Sequence, residues 1–247
     1  MAALLVDLGN SRLKWRLVRS EGREEGAFPL ARAGGFLEGL ASSAPRLSLW
    51  LASVAGSRRG QRIAERLMAL PFARAERVAV RPLAGGPKLG YRDPSELGVD
   101  RWLALLAAME HAPCAIALAG TCLTLDALDR EGRHWPGWIL PGLALLERAL
   151  TARAPRLRSP RPEERAARGP FPQSTGEAIA LGSENGLVAA IERFRLLLEE
   201  RWGHRPILLL SGGDAASLAK ALSPPLMLRP ELVLDGLERL ARGCAER

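Results

Sequence analysis

Lysine is almost absent from this sequence. Lys14, Lys88 and Lys220 are the only ones, so arginine carries the net charge of +8. Tyr91 is the sole tyrosine, and aromatic residues make up 5% of the chain, too few to interleave with basic side chains as base-stacking platforms. The arginines are dispersed, apart from a run at residues 153–168 that is mixed with Pro and Glu. A solvated arginine-rich surface is therefore expected, and no nucleic-acid face. Cysteine is sparse: Cys114, Cys122 and Cys244 are odd in number and lack C-x-x-C spacing, which excludes a disulfide framework and points to reduced thiols in the cytoplasm. His111, His134 and His204 are isolated, which excludes a His/Cys zinc site. Long hydrophobic runs are missing too. The longest, residues 112–127, is interrupted by Gly120, two threonines and Asp126, too short and too polar for a membrane span. The N-terminus has neither the basic region nor the long apolar core expected of a signal peptide.

What is present is enough for a full core: 247 residues, 47% hydrophobic, suited to one large domain or two ordinary ones. Residues 6–14 read V-D-L-G-N-S-R-L-K. An apolar strand ends at Asp7, Gly9-Asn10 supplies turn chemistry, and Leu13, Trp15 and Leu17 resume a strand. Taken alone this is an ordinary hairpin. It is also a turn whose backbone N–H groups can approach an anion where Gly9 has no side chain, with Lys14 adding a compact positive charge. Asp7 repels phosphate, so in that setting it makes sense as a holder of Mg²⁺ that bridges to phosphate oxygens.

The first unit is expected over residues 1–112 and the second over 113–247. In the first, strands at 6–18, 47–54 and 78–80 combine with helices at 58–70 and 101–109. In the second, an apolar run at 115–119, the turn Gly120-Thr121 and a further strand repeat the strand–glycine turn–strand pattern. Two halves that each open on a glycine turn predict an α/β fold of duplicated lobes facing a cleft. Further along, residues 154–172 read as an exposed loop, Thr175 as the cap of a helix, 187–202 as a second helix, 206–210 as a buried strand and 232–241 as the last helix.

Six motifs stand in order: D-L-G-N-S-R-L-K, Y-R-D-P-S-E-L-G-V-D-R-W, G-T-C-L-T-L-D, G-W-I-L-P-G-L, S-T-G-E-A-I-A-L-G and S-G-G-D-A. Together they resemble the type III pantothenate kinases, over nearly the whole chain. That resemblance implies two ribonuclease-H-like lobes of the actin and sugar-kinase type facing a nucleotide cleft, a cytoplasmic homodimer, and transfer of the ATP γ-phosphoryl group to pantothenate. By the same resemblance Asp7, Leu8, Gly9, Asn10, Ser11, Arg12, Leu13 and Lys14 form the first phosphate motif, with Asp7 toward Mg²⁺. Gly120, Thr121 and Thr124 form the second. Asp100 matches the catalytic carboxylate, a general base. Tyr91, Gly98, Val99 and Arg101 line the pantothenate pocket, and Thr175 reaches that pocket from the partner subunit.

Residue chemistry alone leaves Asp100 equally open as an N-cap, Arg101 as a surface arginine, Tyr91 as a core edge and Thr175 as a helix cap. One departure matters. Leu118 stands where the family commonly has an aspartate linked to cation handling, which bears on any use of K⁺ or NH₄⁺. The alternative reading is a catalytically impaired relative acting as a regulatory or transcription accessory protein.

Overall fold

The computed structural model describes residues 2–154, 156–166 and 169–245. It divides into two compact units, Met1–Glu110 with Glu231–Arg247, and His111–Pro230.

The first unit is a five-stranded sheet in the order β3-β2-β1-β4-β5. β1 (Ala2–Leu8), β2 (Arg12–Arg19) and β3 (Gly22–Pro29) are successive antiparallel hairpins, while β4 (Leu47–Ser53) and β5 (Arg74–Arg77) add in parallel. β4 reads as a nearly unbroken apolar run because it lies between β1 and β5 with both faces covered. On one face Leu4, Val6 and Leu8 join Leu37 of α1 (Ala33–Leu40) and Ile63 and Leu67 of α2 (Arg58–Met68) in one core. The other face meets α3 (Val99–Ala108) and the C-terminal α8, over Leu232–Ala245. These two helices cross so closely at Gly236 that a Cβ there would collide with the Leu103 carbonyl.

The second unit repeats the topology. Its order is β10-β9-β6-β7-β8, with β6 (Cys114–Ala119), β7 (Cys122–Leu128) and β8 (His134–Pro141) antiparallel and β9 (Ile207–Ser211) and β10 (Leu226–Leu228) parallel. Its helices are α4 (Leu143–Arg153), α5 (Pro162–Arg165), α6 (Thr175–Trp202) and α7 (Ala215–Leu218). Leu187, Ile191, Phe194 and Leu198 of α6 pack on Leu123, Leu125 and Leu208. The duplicated architecture expected from the two glycine turns is thus present strand for strand.

Several boundaries differ from expectation. Residues 231–245 pack with the first unit, because α8 docks on α3, so a second unit running to the C-terminus does not describe the packing. The two helices expected around 175–202 are one, ended by Gly203 at φ 76°. The strand expected at 78–80 lies at Arg74–Arg77. α3 starts at Val99, two residues earlier than expected, and its residues from Arg101 to Ala108 are all buried inside the first unit.

Candidate active site

The turn joining β1 to β2 is closed by the Gly9 N–H donating to the Arg12 carbonyl at 3.0 Å. A Cβ on Gly9 would lie 3.4 Å from that carbonyl, so the turn is tight at this point. The amide oxygen of Asn10 accepts the Gly56 N–H at 3.0 Å, anchoring the turn to the loop after β4. Asn10, Ser11 and Arg12 are exposed, whereas Leu8 and Leu13 are fully buried in the core. The two leucines therefore offer a ligand only their backbone.

Asp7 pairs with Lys14 across the β1–β2 ladder. Strand alternation puts Asp7 on the face opposite Leu8, the face that α3 and α8 cover. Its carboxyl is pushed up to about 7, first by burial and then by the charge of Asp100; Lys14 pulls it down and Glu231 pushes it up. The Lys14 ammonium lies 3.3 Å from the Glu231 carboxylate. Three carboxylates and one ammonium thus gather where the β1–β2 hairpin meets the starts of α3 and α8. Glu231 lies outside the six motifs, and its only sequence signal is the Pro-Glu helix start at residues 230–231.

Asp100 lies in the first turn of α3 and accepts the Arg101 N–H at 2.9 Å. The N-cap of α3 is Gly98, so Asp100 is not the cap that its position before an apolar helix allows. A Cβ on Gly98 would sit 2.6 Å from the Asp100 oxygen, so any larger residue there would displace the Asp100 carboxylate. The guanidinium of Arg101 is buried, donates to the Tyr91 hydroxyl at 2.7 Å and stacks over its ring at 5.4 Å. Tyr91, Gly98, Asp100 and Arg101 are therefore brought together at one helix start, with the Val99 side chain buried beside them.

In the second unit the turn between β6 and β7 is closed by the Gly120 N–H donating to the Cys122 carbonyl at 3.0 Å. Gly142 and Gly212 both press on this segment: a Cβ on either would collide with the carbonyl of Gly120 or Ala119. Thr124 pairs with Leu118, and its buried hydroxyl has no hydrogen-bond partner among the described residues. Leu118 holds the place on β6 that Asp7 holds on β1, two residues before the turn glycine. Asp214, which donates its N–H to the Ala119 carbonyl at 3.1 Å, is raised above the usual carboxylate range, by burial first and by Glu147 second. Asp214 belongs to the S-G-G-D-A motif and is not among the residues to which the family resemblance assigns a role.

Thr175 is the first residue of α6 and exposed. Ser174 is the N-cap, accepting the Glu177 N–H at 3.1 Å, so Thr175 is not the cap. The loop before it is held by Glu164, whose carboxylate accepts from Arg158 at 2.7 Å, the Arg161 N–H at 2.7 Å and the Ser174 hydroxyl at 3.1 Å.

A sequence model of the type III pantothenate kinase family matches residues 3–195. A type III pantothenate kinase of Chromobacterium violaceum is 38% identical over 244 residues, covering 96% of this chain and 98% of the relative. Another, from Leptothrix cholodnii, is 34% identical over 259 residues, covering 98% and 97%. Among solved structures, a conserved putative Baf family transcriptional activator from Campylobacter jejuni superposes with a TM-score of 0.62 at 20% identity, covering 99% of this chain and 100% of its own. A putative 2-dehydro-3-deoxygalactonokinase from Sinorhizobium meliloti gives 0.55 at 15% identity, covering 98% and 99%. At these identities the structures speak to the fold, that of the actin and sugar kinases. With its family match over most of the sequence and relatives aligned end to end, this chain belongs to the type III pantothenate kinase family.

Proposed function

We propose that this protein transfers the γ-phosphoryl group of ATP to the primary hydroxyl of pantothenate, giving 4'-phosphopantothenate, the first step of coenzyme A synthesis. The observation that carries this reading is the gathering of Asp7, Lys14, Asp100 and Arg101 at one end of the first sheet, with Asp7 and Asp100 close enough for one charge to act on the other. Phosphoryl transfer asks for positioned phosphates, neutralised charge and a base on the attacking hydroxyl. Asp100, ordered by the start of α3, is the base that accepts the hydroxyl proton. Arg101, held by Tyr91, is assigned to the pantothenate carboxylate. The exposed turn at Gly9, Asn10, Ser11 and Arg12, with Lys14, takes ATP phosphates, and Gly120, Thr121 and Thr124 are the second phosphate set. Leu8, Leu13 and Val99 contribute through the backbone.

The donor chemistry fits Mg²⁺. An ion of this kind needs only one or two carboxylates beside water and phosphate oxygens, and a site whose Asp7 is raised by burial first and by the charge of Asp100 second gains from a dication. Asp7 would hold it, and the bound ion would neutralise charge on the phosphates. A monovalent ion is a poorer fit, because Leu118 supplies no oxygen and its ladder neighbours Thr124 and Ser211 offer hydroxyls but no carboxylate. The reaction is derived without K⁺ or NH₄⁺.

The active unit is proposed as a homodimer with shared substrate sites. Among the described residues all seven exposed large hydrophobic side chains, Trp138, Ile139 and Phe171 included, belong to the second unit, as does the exposed Thr175. α3 offers no such surface, since its residues from Arg101 to Ala108 are buried within the first unit. Among the described residues no helix is long and apolar enough to cross a membrane, and none of the three cysteines forms a disulfide. We place the enzyme in the cytoplasm. No observation favours the impaired regulatory protein. The testing experiment is phosphorylation of pantothenate by ATP and Mg²⁺ with K⁺ or NH₄⁺ varied. Turnover that changes less than about twofold with either ion supports the assignment made for Leu118. Absence of any turnover contradicts the kinase reading.

A further inference from the structure

The first unit carries a second recess that the kinase reading leaves unused. α1 and α2 pack on the same face of the sheet, and beside them opens a cavity of about 420 Å³. Its floor is apolar, with Leu30, Leu37 and Ile63. Its rim is four arginines of α2: Arg58, Arg59, Arg62 and Arg66. Positions 58, 62 and 66 follow one another at i, i+4, and 59 stands three before 62, so all four guanidiniums project on one stripe.

Several arginines of this chain are paired with carboxylates: Arg16 with Glu25, Arg74 with Glu76, Arg165 with Glu147 and Arg205 with Glu199. Among the described residues none of the four on α2 has a side-chain hydrogen bond or an ion pair. Like charges at this spacing repel and weaken the helix, a standing cost that an anion in the recess would remove. Across from them Gly34 of α1 keeps the recess open, since a Cβ there would meet nothing within 4 Å.

We propose that this recess binds a small organic phosphate. The apolar or aromatic body of the ligand rests on Leu30, Leu37 and Ile63, and its phosphate is taken by the guanidinium stripe, whose planar forks match phosphate oxygens. The volume suits a small molecule. A nucleic-acid strand is the weaker occupant, because no aromatic side chain lines the recess to stack a base.

The test is a fluorescence titration of the intact protein with 2-naphthyl phosphate, beside inorganic phosphate and 2-naphthol. The expected result is saturable binding of naphthyl phosphate that is tighter than either fragment and falls at least about tenfold both in Arg62→Glu and in Gly34→Leu. Gly34→Leu keeps every charge and enters open space, so it separates a filled pocket from a lost fold. Turnover of ATP and pantothenate should be unchanged in both variants. Equal affinity in wild type and Gly34→Leu, or no saturable binding, overturns the proposal. So does a labelled oligothymidylate whose binding needs Arg62 and ignores Gly34→Leu, since the arginines would then form an open nucleic-acid face.

Discussion

The carboxylate of Asp100, in the first turn of α3, bears on that of Asp7, at the end of β1, and adds to the larger effect of burial in pushing the Asp7 carboxyl up to about 7. Two carboxyl groups gathered this way resist carrying both charges until cations arrive.

A pH dependence of stability follows. The folded pKa of Asp7 lies above its ordinary value of 3.8, at about 7. The folded state therefore holds a proton that the unfolded chain has lost, and stability present below about pH 4 declines as pH rises through about 7. The ceiling on this contribution is roughly 4 kcal/mol. Asp7→Asn should flatten the profile between about pH 4 and pH 7 in metal-free buffer, measured by urea midpoints. Parallel profiles for the two proteins would show that Asp7 is not the titrating group.

Arg16 is the keystone between β2 and α8. It is buried and bonded to Glu25 at 2.8 Å and to Asp235 and Glu238 at 2.9 Å each. Arg16→Ala leaves carboxylates without their cation and should cost about 3–5 kcal/mol of stability. Chemical denaturation reads the loss, and a change below about 1 kcal/mol would mean the network relaxes onto water.

Much of this architecture is legible in the amino-acid sequence. The two glycine turns announce two matching hairpins because Asp7–Gly9 and Leu118–Gly120 each close a ladder at the same point of a repeated sheet. β3 is not legible: Gly-Arg-Glu-Glu-Gly on an edge strand has little apolar alternation, and none of the residues of β3 is buried. α1 is hidden by three glycines in eight residues, which tertiary packing of Leu37 and Leu40 overrides. The docking of α8 on the first unit is a long-range event with no local signal. For the same reason nothing near Glu231 in sequence marks it as the partner of Lys14. A motif marks Asp100, whereas its effect on Asp7 depends on where α3 starts in space.

Lys14 exchanges partners during the proposed reaction. It holds Glu231 in the free protein and phosphate when ATP is bound. Lys14→Ala should raise the KM for ATP about tenfold or more while pantothenate KM changes little. Steady-state kinetics with each substrate varied in turn decide it. The opposite pattern would show that the two sites have been exchanged.

Sharing of sites between subunits is tested by mixing. Asp100→Asn and Thr175→Trp should each be inactive alone, and the exposed position of Thr175 lets the indole be accommodated without unfolding. In a shared-site dimer one heterodimer site carries both lesions and the other neither, so co-expression should restore about a quarter of wild-type sites. Heterodimers that form and stay inactive, or an active monomer in sedimentation, contradict the shared site.

The proposed chemistry turns on Asp100 as the base that activates pantothenate. Asp100→Asn keeps the size of the side chain and an oxygen toward the Arg101 N–H. The decisive measurement is its kcat for pantothenate phosphorylation, beside its denaturation midpoint and ATP affinity. The expected result is a fall of about 10²–10⁴ in kcat with ATP binding and folding retained. A folded Asp100→Asn protein with near wild-type kcat would contradict it.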